Sequence, residues 1–213
     1  MAEEDRRAPA AVVFDALGPA YEHAFAGSAP HRASLGRLLE LLAPGSRVLD
    51  VGSGTGRPTA QTLAEAGHRV LGIDISPVMV GLAARQVPGA EFRLADIRET
   101  PLAEASFDAA CGYFSLLQMT RAEQTAVVAK LARAVRPGGL VALATVPLDV
   151  EDVEGVFMGQ PVRVTSFPAE AFTRLLTEEG LTVLSEEQAV FTPAHPEAEP
   201  EPHLFLLARR GAE

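Results

Sequence analysis

Val48-Leu-Asp-Val-Gly-Ser-Gly-Thr-Gly-Arg-Pro-Thr59 reads as the end of a short apolar strand, Arg47–Val51, running through a glycine-rich turn into a helix. Gly52, Gly54 and Gly56 allow backbone angles closed to other residues and let a ligand approach the main chain, with Ser53 inside the turn. In an open parallel sheet, ligands bind beyond the carboxyl ends of the strands, which is where this turn falls. Its spacing is G-x-G-x-G. A dinucleotide fingerprint counted from Gly52 needs its third glycine at position 57, which is Arg57. Asp50, just upstream, would repel a pyrophosphate and instead suits a ligand with a cationic end, such as an α-amino group.

Two further carboxylates stand where a nucleoside reader needs them. His68–Ile75 reads as a second strand, with Asp74 near its end in the position from which a carboxylate accepts both ribose hydroxyls. Glu91–Leu94 is a third strand leading to Asp96, which can accept from an adenine exocyclic amine. Glycine turn and carboxylates together describe an adenosine carrying an amino acid and no phosphates.

The remaining pattern completes an α/β chain. Apolar residues recur at helical spacing over Ala10–Phe25 and His31–Leu42, and Pro44-Gly45 stops the second helix. Pro58 opens a helix that ends at Gly67, and Ser76-Pro77 caps one running to about Gln86. Phe107–Tyr113 is a fourth strand. Thr120 and Glu123 form a capping box for a helix to Val135, and Leu140–Val146 is a fifth, buried strand. A helix from about Pro168 to Glu179 precedes two more strands, Leu181–Phe191 and His203–Ala208. The Pro/Glu-rich stretch between them predicts an exposed loop closing an antiparallel hairpin. Strands alternating with helices predict a doubly wound, mostly parallel sheet with helices on both faces. The acids Asp149, Glu151, Asp152 and Glu154 read as a solvated loop.

Composition narrows the classes. The 213 residues carry 18 Lys+Arg against 28 Asp+Glu, so nucleic acid and anionic membrane are not expected partners. No apolar run is long enough to span a bilayer, and the charged start MAEEDRRAPA lacks the apolar region of a secretory signal, so a cytoplasmic location is expected. The single cysteine, Cys111, excludes an intramolecular disulfide and a cysteine-rich metal site. It sits in an apolar strand and reads as packing, and no metal site is expected.

The chain resembles the class I S-adenosylmethionine-dependent methyltransferases. The pieces that carry the likeness are Asp50-Val-Gly-Ser-Gly-Thr-Gly56, Gly72-Ile-Asp-Ile-Ser-Pro77, Ala95-Asp-Ile97, Phe107-Asp-Ala109 and Arg136-Pro-Gly-Gly139. The resemblance implies a Rossmann-like sheet of seven strands ending in an antiparallel hairpin, with S-adenosylmethionine as donor and S-adenosylhomocysteine as product. By it, Gly52, Gly54 and Gly56 wrap the methionine part and Asp74 holds the ribose. Asp96 with Ile97 frames the adenine, Ile75 and Met79 pack on its faces, and Gly112-Tyr113 opens the segment where donor and acceptor meet. That segment is neither Asp-Pro-Pro-Tyr nor Asn-Pro-Pro-Tyr, which disfavours adenine or glutamine amide as acceptor.

The expected protein is one domain over 1–213: a loose tail at 1–9, N-terminal helices at 10–43 and the core at 44–213. Phe14, Leu17, Tyr21 and Phe25 give the leading segment an apolar face, read as a lid over the site. Tyr21 is a candidate donor contact and, with His23 and His31, a candidate catalytic residue. The predicted activity is methyl transfer to an O, N or C nucleophile of a small molecule, by a monomer or homodimer. The alternatives are an NAD(P)-dependent oxidoreductase on a related fold and a non-catalytic S-adenosylmethionine-binding protein.

Overall fold

The computed structural model describes residues 9–196 and 198–212. All but the last residue of the predicted loose tail therefore lies outside the described residues. Three helices lead: α1 (Pro9–Leu17), α2 (Pro19–Phe25) and α3 (Ala29–Leu41). The alternating core follows as β1 (Arg47–Val51), α4 (Thr59–Glu65), β2 (Arg69–Asp74), α5 (Pro77–Gln86), β3 (Glu91–Leu94), β4 (Phe107–Tyr113), α6 (Arg121–Ala134) and β5 (Val135–Thr145). Last come β6 (Val150–Phe157), β7 (Gln160–Ser166), α7 (Ala169–Glu178), β8 (Leu181–Phe191) and β9 (Glu201–Arg210).

Seven strands form one sheet in the order β3-β2-β1-β4-β5-β9-β8. The first five are parallel, and β9 runs antiparallel to both β5 and β8. The expected seven-stranded Rossmann-like sheet with its C-terminal hairpin is the observed one. Side chains alternate between the two faces. On β5, Val141 and Leu143 join a core with α6 and α7, including Leu131, Phe172 and Leu176. Leu140, Ala142 and Ala144 join the opposite core with Leu35, Leu38 and Leu63 of α3 and α4. Burying both faces explains why these strands read as nearly continuous apolar runs.

Two sequence expectations are corrected. Ala10–Phe25 is not one helix, because Gly18 takes φ 47° and ψ −129° and Pro19 brings no amide hydrogen to continue the ladder. The acidic stretch after β5 is not a loop: β6 and β7 pair as a separate antiparallel hairpin. Its acids do face solvent, where Arg163 bonds Asp152 and Glu154 and Arg121 bonds Asp149. Its other face lays Val162 and Val164 against Val13, Leu17, Phe14 and Tyr21 of the N-terminal helices. The hairpin and α1–α2 thus pack on each other at the carboxyl edge of the sheet.

Candidate functional site

The carboxyl ends of β1, β2 and β4 converge on the glycine turn. Gly52 and Gly54 both have positive φ, at 67° and 53°. At Gly52 a Cβ would stand 2.3 Å from the Ser115 Cβ, so the close approach of the segment after β4 requires glycine there. Phe114 makes that approach, turning the chain with φ 58°, an unusual conformation for a non-glycine residue. The Gly54 amide donates to Asp74 Oδ2 at 2.8 Å, and Ser76 N–H donates to Asp74 Oδ1 at 2.9 Å. Burial raises the Asp74 carboxyl above its ordinary value, while these amides pull it back down. The carboxylate is therefore fixed at the end of β2, beside the turn.

A cavity of about 310 Å³ opens here. Of the sequence-predicted residues, Gly52, Gly54, Asp74, Ile75, Met79 and Ile97 border it, as do Tyr113 and Tyr21. The Tyr113 hydroxyl turns away to Ser34 Oγ at 3.1 Å, leaving its ring as wall. Burial, then the charges of Glu201 and Asp74, push the Tyr21 phenol upward, so it stays protonated. An adjoining space of about 630 Å³ shares Ile75 and holds Asp96. Burial raises the Asp96 carboxyl, but Arg98 outweighs it with contacts of 2.7–3.1 Å and holds it below its ordinary value.

Other predicted residues lie behind the wall. Asp50 is buried beneath the turn, and its Oδ2 finds no hydrogen-bond partner among the described residues. Burial, and then the charge of Asp74, push its carboxyl up to about 7. Ser53, Gly56 and Gly112 support the turn and strand without bordering the cavity. His23 is exposed and borders neither space. His31 is buried, with Nε2 3.1 Å from Thr59 Oγ1 and its ring 4.2 Å from that of Tyr113. Burial, followed by His203 and Arg32, pushes its imidazole down to about 3. Neither histidine reaches the cavity, so neither is carried forward as a base.

Sequence reasoning missed part of the wall. Phe157, Val162 and Glu201 line the cavity, beside Phe25 of the leading apolar face and Gln118 of the segment that Gly112-Tyr113 opens. Phe157 and Val162 come from the unforeseen hairpin. Glu201 was hidden in an acidic Pro/Glu stretch that gave no local signal.

Comparison with known proteins agrees with the geometry. Residues 48–139 match the family model described as a methyltransferase domain. The O-methyltransferase cnsE of Penicillium expansum is 30% identical over 151 residues, 67% of this chain and 54% of its own. A demethylmenaquinone methyltransferase of Renibacterium salmoninarum is 36% identical over 101 residues, 47% of this chain and 41% of its own. The chain spans about half the length of the curated relatives it matches. Among solved structures, the Burkholderia thailandensis 1,6-didemethyltoxoflavin-N1-methyltransferase superposes with TM-score 0.73 at 23% identity, covering 99% of this chain and 91% of that one. The [4+2]-cyclase SpnF superposes at 0.71 with 21% identity, covering 96% of each chain, so this likeness speaks for the fold alone. Fold and matched segment together define a class I, S-adenosylmethionine-dependent methyltransferase. It is to this family that the chain belongs, on the segment 48–139.

Proposed function

We propose that the protein transfers a methyl group from S-adenosylmethionine to a small-molecule acceptor. The observation that carries this reading is the Asp74 carboxylate, held by two backbone amides beside a turn of positive-φ glycines. When bound, the donor supplies an electrophilic methyl group on a sulfonium. The residues fit it: Asp74 takes the ribose hydroxyls, and Ile75, Met79 and Ile97 give the adenine apolar contact. Asp96 shares its acceptor capacity between Arg98 and the adenine amine. The Ser115 hydroxyl, which borders the cavity and has no hydrogen-bond partner among the described residues, leaves polar capacity beside the turn for the amino-acid end.

The chain contributes alignment and exclusion of water. In this reading α1–α2 form a lid, with Tyr21 directing its hydroxyl at the donor's carboxylate or the acceptor. Three contacts support it. Glu22 reaches Arg57, beside the glycine turn, at 3.5 Å and Gln86 at 3.1 Å, while Ala24 C=O accepts the Ala194 amide at 2.8 Å. The apolar wall and net charge −10 favour a small acceptor over nucleic acid. Among the described residues, no helix is long and apolar enough to cross a membrane. We extend the reading to one cytoplasmic domain acting as monomer or homodimer. Calorimetry tests the donor half: S-adenosylhomocysteine binds and NAD does not. Acceptor screening with labelled methyl donor tests turnover, and binding of NAD alone overturns the reading.

A further inference from the structure

One carboxylate on the cavity wall, Glu201, is given no role by the donor reading. Glu201 opens β9 opposite Phe191 of β8, beyond the point where β5 ends at Thr145 against Leu204. It therefore stands at the carboxyl edge of the sheet. Strand alternation puts His203 on the same face, fully buried, with Nε2 2.8 Å from Glu201 Oε1. Phe114 and Phe191 pack its ring at 4.4 and 5.6 Å. Its Nδ1 is buried without a hydrogen-bond partner among the described residues. A carboxylate has no hydrogen to give, so the imidazole hydrogen resides on Nε2 and donates to Glu201. A buried ring with one polar outlet thus fixes the orientation of one carboxylate bordering the cavity.

The surroundings say what that carboxylate meets. Tyr21 lies 4.9 Å from Phe25, and Phe25 lies 6.0 Å from Phe157, ring centre to ring centre, and all three border the cavity with Phe114. No Lys, Arg or His is among the described residues that line it. An anionic acceptor would enter beside Asp74 and Glu201 with no counter-charge on the wall.

We propose that Glu201, oriented by His203, is the proton acceptor of the acceptor subsite, and that the acceptor is a small, uncharged, mainly apolar ring compound bearing a hydroxyl or N–H. This rests on the methyl-transfer reading. As the acceptor's O–CH3 or N–CH3 bond forms, the S–CH3 bond breaks and sulfur keeps its electron pair, leaving a neutral thioether. The acceptor's proton passes to the Glu201 carboxylate and from there to solvent. A methylated but still protonated oxygen is far more acidic than a carboxylic acid, so a late transfer to Glu201 runs downhill. His203 touches no reacting atom and is a positioning residue.

Calorimetry on the full chain at neutral pH, saturated with S-adenosylhomocysteine, tests this with one ring system: 2-naphthol, 2-methoxynaphthalene and 2-naphthoate. The naphthol should bind at least about tenfold more tightly than the ether or the carboxylate, because a site built to hydrogen-bond a hydroxyl rejects analogues without one. Glu201→Leu should bring naphthol and ether within roughly twofold while the affinity for S-adenosylhomocysteine stays unchanged. His203→Gln, which can still donate to Glu201, should keep the preference, and His203→Leu should diminish it. Preference retained in Glu201→Leu, naphthoate bound as tightly as naphthol, or no discrimination among the probes overturns the proposal. If S-adenosylhomocysteine fails to bind the wild type, the methyl-transfer reading falls separately. The same comparison on the unliganded chain then still decides whether Glu201 selects the hydroxyl.

Discussion

The carboxylate of Asp15, on α1, accepts the hydroxyl of Ser76 at 2.5 Å and faces the Val78 amide at 3.4 Å. Ser76 is the N-cap of α5 and accepts the Met79 amide at 3.0 Å. The leading helix is thus anchored on the positive end of a core helix, two residues from Asp74. Asp15→Ala should loosen that anchor at a cost of about 1.5–3 kcal/mol, the scale of a hydrogen bond to a charged group. The expected readout is faster limited proteolysis within 9–27 and several-fold weaker S-adenosylhomocysteine binding. Wild-type proteolysis and affinity together would refute the anchoring role.

Asp74→Asn tests the ribose contact. Asn offers one acceptor oxygen where Asp74 offers two, so either the Gly54 or the Ser76 amide loses its partner. That leaves a stability loss of about 1–3 kcal/mol, read by thermal unfolding. Affinity for S-adenosylhomocysteine should fall about tenfold or more, which is about 1.4 kcal/mol or more. A folded variant with full affinity places the ribose elsewhere.

Asp50 makes stability depend on pH. Its carboxyl moves from an ordinary 3.8 to about 7 in the folded chain, through burial first and Asp74 second. The folded state keeps a proton that the unfolded chain has given up between those values. Its contribution is full below 3.8, shrinks as pH rises, and is gone above about 7. His31 works the other way: pushed from 6.5 to about 3 by burial, it costs the fold stability as pH drops below 6.5. Melting curves of wild type and Asp50→Asn, from about pH 5 to about pH 8, isolate the first effect. The variant should gain on the wild type as pH rises, and a pH-independent difference contradicts a protonated, buried Asp50.

Lys130 holds the segment that carries the residues proposed to frame the adenine. Its ammonium donates to the carbonyls of Ile97, Arg98 and Thr100 at 2.6, 2.8 and 3.2 Å. Lys130→Met preserves the stem's packing on α6 and removes the donors. We expect destabilisation of about 1–3 kcal/mol and a several-fold loss of S-adenosylhomocysteine affinity, both by calorimetry. Loss of stability without loss of affinity would confine Lys130 to a structural role.

The central strands were legible because β1, β2, β4 and β5 are largely buried on both faces, with Gly45 and Gly67 just ahead of β1 and β2. The glycine turn and Asp74 were legible because close approach and a fixed carboxylate demand particular residues at particular spacings. The hairpin of β6 and β7 was not. Its turn is Met158-Gly159, with φ 50° and 78°, and a methionine in a left-handed position gives none of the signal that Asn or Asp would. Nor was the start of β9, since Glu201 and Pro202 extend the ladder into a stretch whose composition reads as loop. Both misses are settled by tertiary pairing, which local pattern does not contain.

The segment that matches the family model ends at 139. Tyr21, Phe25, Phe157 and Glu201 all lie outside it, on α2, the separate hairpin and the last strand. On the proposed reading, most donor contacts and much of the acceptor wall thus fall in different stretches of one chain. Kinship measured over 48–139 therefore covers most of the residues proposed for the donor and, of the acceptor wall named above, Phe114. The same division makes selectivity transplantable: a chimera that keeps 48–139 and exchanges the flanking segments should retain donor affinity while adopting another relative's range of acceptors.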